Sequence, residues 1–142
     1  MSNPSPKPEL DRWNGRFATT EYIFGKAPNA FLAQQAPRLR PDMTALCVAD
    51  GEGRNSVWLA QQGLQVTAFD FSPVGIAKAQ ALAREAGVTV LHHHCNAADW
   101  DWGATGYDVV AAIFVQFAGP ALRAKMFEGM ARALKPGGWL FL

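Results

Sequence analysis

Ala45-Leu46-Cys47-Val48-Ala49-Asp50-Gly51-Glu52-Gly53-Arg54-Asn55-Ser56 decides how the rest of the chain is read. Ala45 to Ala49 are all apolar or small, the pattern of a strand buried on both faces. Gly51 and Gly53 stand one residue apart, so the backbone can bend sharply and a ligand can come close to it. Asn55 and Ser56 can cap a following helix, whose apolar members Val57, Ala60 and Leu64 recur at helical spacing. Strand, glycine turn and helix make the unit that opens nucleotide-type sites in doubly wound sheets.

Downstream, Gln65 to Phe69 reads as a second strand, with Val66 and Ala68 on one face and Asp70 at its end. Ser72-Pro73 then starts a helix, a capping hydroxyl followed by proline at the first helical position. That helix is predicted to run to about Ala86 and to stop at Gly87. Val88 to Leu91 is the predicted third strand and Tyr107 to Phe114 the fourth. Pro120 to Leu134 is an amphipathic helix with Leu122, Met126, Met130 and Ala133 on one face. Lys135-Pro136-Gly137-Gly138 reads as a turn, and Trp139 to Leu142 as the beginning of a fifth strand. Strands alternating with helices predict an α/β fold, doubly wound around a mostly parallel sheet.

Upstream, residues 1–10 alternate proline with polar residues and are expected to be a disordered tail. Residues 11–44 form a helical, aromatic cap with Trp13, Phe17, Tyr22, Phe24 and Phe31, and include a short helix capped by Asn29 and stopped by Pro37. Such an arm either covers one edge or end of the sheet or acts as a lid that also touches the ligand. Residues 45–142 make the ligand-binding core. An apolar strand that stops at Leu142 leaves a bare edge. The expectation is a chain truncated after the fifth strand, or else an edge covered by another chain, as in a homo-oligomer.

Of the 142 residues, 49 % are apolar and 18 % charged, enough to bury a core and too few charges for disorder. A net charge of +1 with no basic run gives no electrostatic footprint for nucleic acid. No apolar stretch approaches a membrane span, and the first residues lack the apolar segment of a secretory signal, so a cytoplasmic setting is expected. Cys47 and Cys95 make no disulfide framework and read as buried free thiols in a reducing compartment. His92-His93-His94 points alternately to opposite faces in extended chain and cannot readily share one ion, so no metal is expected. Trp100 and Trp102 read as hydrophobic cover over the sheet end.

Two cofactor classes fit the glycine turn. Gly51 to Ser56 reads as G-x-G-x-x-S, close to the dinucleotide fingerprint, and Asp70 falls near the expected ribose acid. Against a dinucleotide stand Ser56 in place of the third glycine, the long segment before the first strand, and a glutamate where a pyrophosphate wants free helix amides. Four stretches in order favour the other class: Ala45 to Ser56, Val66 to Pro73, Cys95-Asn96-Ala97-Ala98-Asp99-Trp100 and Leu134-Lys135-Pro136-Gly137-Gly138. With them the chain resembles class I S-adenosylmethionine-dependent methyltransferases. It is similar to the small bacterial branch related to tellurite-resistance and thiopurine methyltransferases, which Trp13 to Phe17 and Pro28 to Leu32 also resemble. The likeness runs from about Trp13 to Leu142, the front two-thirds of a family domain.

The resemblance implies a Rossmann-like methyltransferase fold, S-adenosylmethionine as methyl donor and S-adenosylhomocysteine as product. It assigns Ala49, Asp50, Gly51 and Gly53 to the methionine and ribose portion. Asp70 would accept two charge-strengthened hydrogen bonds from the ribose diol, and Phe71 would lie against the adenine face. The Asn96 side chain and the Ala97 or Ala98 amide would read the adenine edge, with Asp99 a further candidate there. The methyl would emerge near Phe114, Gln116 and Phe117. The chain departs from the pattern at Cys47, where many members carry an acid, and at Ala49, where many carry glycine; Asp50 or Glu52 could supply the missing charge. Only Tyr22 suggests itself as a base, so the expected acceptor is a small molecule that is already a strong nucleophile: a thiolate or a chalcogen oxyanion. A catalytically incomplete binding module and a NAD-dependent oxidoreductase are the alternatives.

Overall fold

A computed structural model describes residues 6–103, 106–113 and 119–142. The strands are β1 (Thr44–Val48), β2 (Gln65–Asp70), β3 (Val90–His94), β4 (Tyr107–Ala111) and β5 (Leu134–Phe141). The helices are α1 (Pro6–Phe17), α2 (Ala30–Ala33), α3 (Arg54–Gln61), α4 (Pro73–Ala86) and α5 (Pro120–Ala133). The sheet order is β3-β2-β1-β4-β5 and every pairing is parallel. The doubly wound α/β fold expected from the sequence is therefore present. β1 lies at its centre, where the winding direction reverses.

The pleat explains why β1 is apolar throughout. Leu46 and Val48 face one core with Phe69, Val110, Trp102, Met126 and Met130, which brings in α5. Ala45 and Cys47 face the other with Val66, Ala68, Val109, Leu59 and Leu32, which brings in α3 and α2. On α5 the buried side is Met126, Met130 and Ala133, as its spacing predicts. Gly129 gives the Trp102 ring a flat seat there, since a Cβ would lie 2.3 Å from the indole Cγ. Trp100 stacks on Phe69 with ring centroids 4.4 Å apart, so both tryptophans do cover the sheet end.

The boundaries of α4 follow its signals: the Ser72 hydroxyl accepts the Gly75 N–H at 3.1 Å, and Gly87 ends the helix at φ +71°. Elsewhere the elements move. Residues 6–10, expected as tail, belong to α1. Pro6 and Pro8 fall in the first turn, where backbone N–H groups have no helical partner, and Phe17 at the far end is buried. β3 starts at Val90 rather than Val88, because the Gly87 and Val88 N–H groups close the end of α4 on Arg84 and Ala83. The three histidines thus fall inside the strand. β5 starts at Leu134 and runs through the expected turn: Tyr107 pairs with Leu134 and Val109 with Trp139, the surplus residues forming a bulge with Gly137 at φ +80°. The N-cap of α3 is Gly53 at φ +88°, not Asn55 or Ser56.

β5 is one edge of the sheet among the described residues and β3 the other, and Trp139 and Leu142 are exposed on the β5 side. The Arg38 guanidinium lies 4.4 Å from the Trp139 ring centroid. No helix among the described residues is long and apolar enough to cross a membrane.

Candidate functional site

Parallel strands deliver their following loops to one end of the sheet, and there Asp70 meets the glycine bend after β1. After β1 the chain turns through Ala49 at φ +51°, Gly51 at +60° and Gly53 at +88°. The bend is tied to β2 by the Asp50 N–H, which donates to the Phe69 carbonyl at 3.0 Å. Asp70, at the end of β2, accepts the Gly51 N–H on Oδ1 at 3.1 Å and the Ser72 N–H on Oδ2 at 3.0 Å. The carboxylate and the glycine bend therefore face each other. Burial pushes the Asp70 carboxyl above its usual range, and the two N–H donors partly oppose that rise. Each oxygen keeps lone-pair capacity for a further donor.

Asp50 holds the start of α3. Its Oδ1 accepts the Ser56 N–H at 3.3 Å and its Oδ2 the Ser56 hydroxyl, which is fully buried. The Asp50 carboxyl group is set into the protein at the bend, and burial raises its pKa to about 7; Ser56 lowers it and the neighbouring Asp70 charge raises it. A small depression at the ends of β1 and β4 is lined by Cys47, Ala49, Asp50, Asn55, Ala111 and Ile113. The Cys47 thiol is pushed well above its ordinary pKa by burial and stays neutral.

Glu52 sits elsewhere. It is buried, pairs with Lys78 on α4, and accepts the Ile23 N–H at 2.8 Å. Its charge anchors the amino-terminal arm and is not free for a ligand. The same arm donates the Tyr22 hydroxyl to the Lys78 carbonyl at 2.8 Å, so Tyr22 is engaged away from the depression. On α1, Asn14 accepts from the Ser72 hydroxyl, and the Phe17 ring closes over Gly51 and Gly75. The arm is thus both sheet-end cover and neighbour of the bend.

After β3, Asn96 Oδ1 accepts the Ala98 N–H at 3.0 Å, which keeps that amide inside the turn, while the Ala97 side chain enters the core. The Lys125 ammonium caps the Ala98 carbonyl at 2.8 Å. The Cys95 N–H donates to the Asp70 carbonyl at 3.0 Å, bringing this turn beside β2. Phe71 is half-buried, and its carbonyl lies 3.0 Å from His94 Nε2. His94, expected past the end of the third strand, is instead the last residue of β3, and register places it beside Asp70. Phe114, Gln116 and Phe117 lie outside the described residues. Among the described residues no cluster of His, Cys, Asp or Glu is gathered to hold a metal ion.

A family model described as a methyltransferase domain matches residues 45–138, from β1 into β5. The chain belongs to the methyltransferase-domain family. This domain is 32 % identical over 113 residues to an uncharacterized protein of Mycobacterium tuberculosis, covering 79 % of the chain and 40 % of that protein. It is similar to a solved S-adenosylmethionine-dependent methyltransferase of Geobacter sulfurreducens in complex with S-adenosylhomocysteine. That likeness has 26 % identity and a TM-score of 0.71, over 91 % of this chain and 53 % of the other. A TehB-like methyltransferase of Corynebacterium glutamicum shares the fold at 20 % identity and a TM-score of 0.67, over 97 % of this chain and 72 % of that one. The methyltransferase domain thus spans well under half of the mycobacterial relative and about half of the Geobacter structure.

Proposed function

We propose that this chain binds S-adenosylmethionine and directs methyl transfer to a small-molecule acceptor, leaving S-adenosylhomocysteine. The observation that carries the reading is the Asp70 carboxylate, held by the Gly51 and Ser72 amides at the mouth of the glycine bend. So placed, it can accept both hydroxyls of a ribose, while Phe71 next to it offers an aromatic face to the adenine and Asn96 lies one strand further out. The cofactor supplies a methyl group already activated by its sulfonium charge. The protein's contribution is orientation and exclusion of water, which is worth roughly 7–11 kcal/mol when well executed.

Among the described residues, those that line the depression include no His, Lys or Tyr to act as a base. This supports an acceptor that arrives as a strong nucleophile, a thiolate or chalcogen oxyanion, and with it the branch near the tellurite-resistance and thiopurine enzymes. A dinucleotide fits less well. Its pyrophosphate needs the first amides of a helix, and the Ser56 amide of α3 is already taken by the Asp50 carboxylate. The second reading is cofactor binding without turnover. The setting proposed is cytoplasmic, with no nucleic-acid partner.

Titration calorimetry with S-adenosylmethionine, S-adenosylhomocysteine and NAD tests the cofactor class. The first two should bind and NAD should not; D70N should weaken both by about 10- to 100-fold, the worth of one or two charged hydrogen bonds. Binding of NAD alone would overturn the assignment. Turnover of thiols, selenite or tellurite, compared between this chain and any longer form, separates enzyme from binding module.

A further inference from the structure

Beside the glycine bend, arginines gather on aromatic rings. The Arg16 guanidinium, at the end of α1, lies 4.4 Å from the centroid of the Trp13 ring and 5.8 Å from that of Phe24. Arg54, the first residue of α3, reaches the same Phe24 ring, 5.5 Å from its centroid. Two guanidiniums from separate elements thus converge on one ring, and like charges so gathered repel unless an anion joins them. The neighbouring acids are engaged with other groups: Glu9 with Arg12 and the Trp13 indole N–H, Glu52 with Lys78, and Asp50 with Ser56. A ring meets the flat face of a guanidinium and an anion meets its N–H edge, so both can be held at once. Arg16 and Phe24 are exposed, and burial pulls the Arg54 pKa down without removing its charge.

We infer that Arg16 and Arg54, set around Phe24, hold the anionic group of an acidic methyl acceptor at the mouth of the site. This rests on the S-adenosylmethionine reading above and narrows the acceptor to small acids, in which a carboxylate or oxyanion accompanies the nucleophilic atom. The placement fits. Arg54 stands between Gly53 of the bend and Asn55 of the depression, and Arg16 precedes Phe17, whose ring lies over Gly51. The Trp13 and Phe24 rings offer an apolar wall to the carbon skeleton of such an acceptor. In the transfer the acceptor's nucleophilic sulfur bonds the methyl carbon, and the electron pair of the broken carbon–sulfonium bond remains on S-adenosylhomocysteine. The arginines take no part in that exchange; they fix the far end of the acceptor and thereby its line of approach.

Calorimetry on the chain saturated with S-adenosylhomocysteine compares 3-mercaptopropionate with its methyl ester, the same thiol without the carboxylate. The acid should bind more tightly. R16Q, at an exposed position, should cut that preference about three- to tenfold, between the worth of an exposed charge pair and that of one charged hydrogen bond. R54Q should cut it likewise, while affinity for the ester changes less than about twofold in either variant. S-adenosylhomocysteine itself should bind R16Q within about twofold of wild type. A loss there as large as the loss for the acid would mean that the guanidinium reads the donor's own carboxylate, and would overturn the inference. Equal wild-type affinity for acid and ester, or binding of neither, would overturn it while leaving the cofactor reading intact. A chain that does not bind S-adenosylhomocysteine would overturn both.

Discussion

Gly53→Ala probes the packing that lets the bend exist. A Cβ built on Gly53 lies 2.6 Å from the Ala79 Cβ and 2.9 Å from the Ala79 Cα, so α4 backbone stands where the new methyl would go. Backbone cannot step aside as a lysine tip can, and overpacking of this kind costs about 1–3 kcal/mol. The residue also sits at φ +88°, where an L side chain adds about 1–2 kcal/mol. The sum, about 2–5 kcal/mol, is a large part of the 5–15 kcal/mol by which domains are typically stable. Gly51→Ala is the internal control. It shares a positive φ of +60°, but its nearest neighbour is the Phe17 ring at 3.5 Å, so only the backbone strain applies. Urea unfolding followed by tryptophan fluorescence and far-ultraviolet dichroism, read at constant m-value, measures both. G53A should lose at least about 1 kcal/mol more than G51A. Equal losses would mean that α3 and α4 do not approach at Gly53, and the geometry that presents the bend would be wrong.

Lys78→Met should cost about 3–5 kcal/mol by stranding the buried Glu52 carboxylate, and should make residues 18–25 more sensitive to protease; wild-type proteolysis would refute the anchoring role. Phe69→Ala removes a fully buried ring stacked on Trp100 and should cost about 3–5 kcal/mol in chemical denaturation, with an altered tryptophan spectrum; a loss below about 1 kcal/mol would contradict the packing. Asp50→Asn should be more stable than wild type at pH 8. The folded pKa of about 7 lies above the unfolded value of about 3.9, so the Asp50 contribution is complete below pH 4 and is lost as pH rises to 7. Three units correspond to about 4 kcal/mol as an upper figure, read as the wild-type minus D50N difference across that range. A difference that does not change with pH would refute the burial of that carboxyl.

The central unit was legible because its signals are local: a strand buried on both faces must be apolar at every position, and Gly51 and Gly53 supply two of the three left-handed residues of the bend that follows. The ends of α4 were equally plain, since the Ser72 hydroxyl, the Pro73 ring and the Gly87 backbone all act within a few residues of themselves. Asp70 was placed correctly at the strand end, facing the bend. The misjudged boundaries have tertiary or cap-level causes. Proline at Pro6 and Pro8 looks like coil until it is counted as a helix first turn. A cap on α4 absorbs Gly87 and Val88 and slides β3 onto the histidines. A bulge admits Gly137 into β5. The partners of Glu52 and Asn55, Lys78 and Asn29, come from distant segments, and no spacing rule announces them.

The amino-terminal arm touches the loops that flank the proposed pocket through Asn14, Phe17 and Ile23. Thermodynamic reciprocity then follows: a molecule that steadies those loops must tighten the arm, and loosening the arm must weaken that molecule by the same factor. Residues 14–23 would then respond to occupancy of the proposed pocket, and the indole of Trp13, its centroid 5.3 Å from that of the Phe17 ring, would report it.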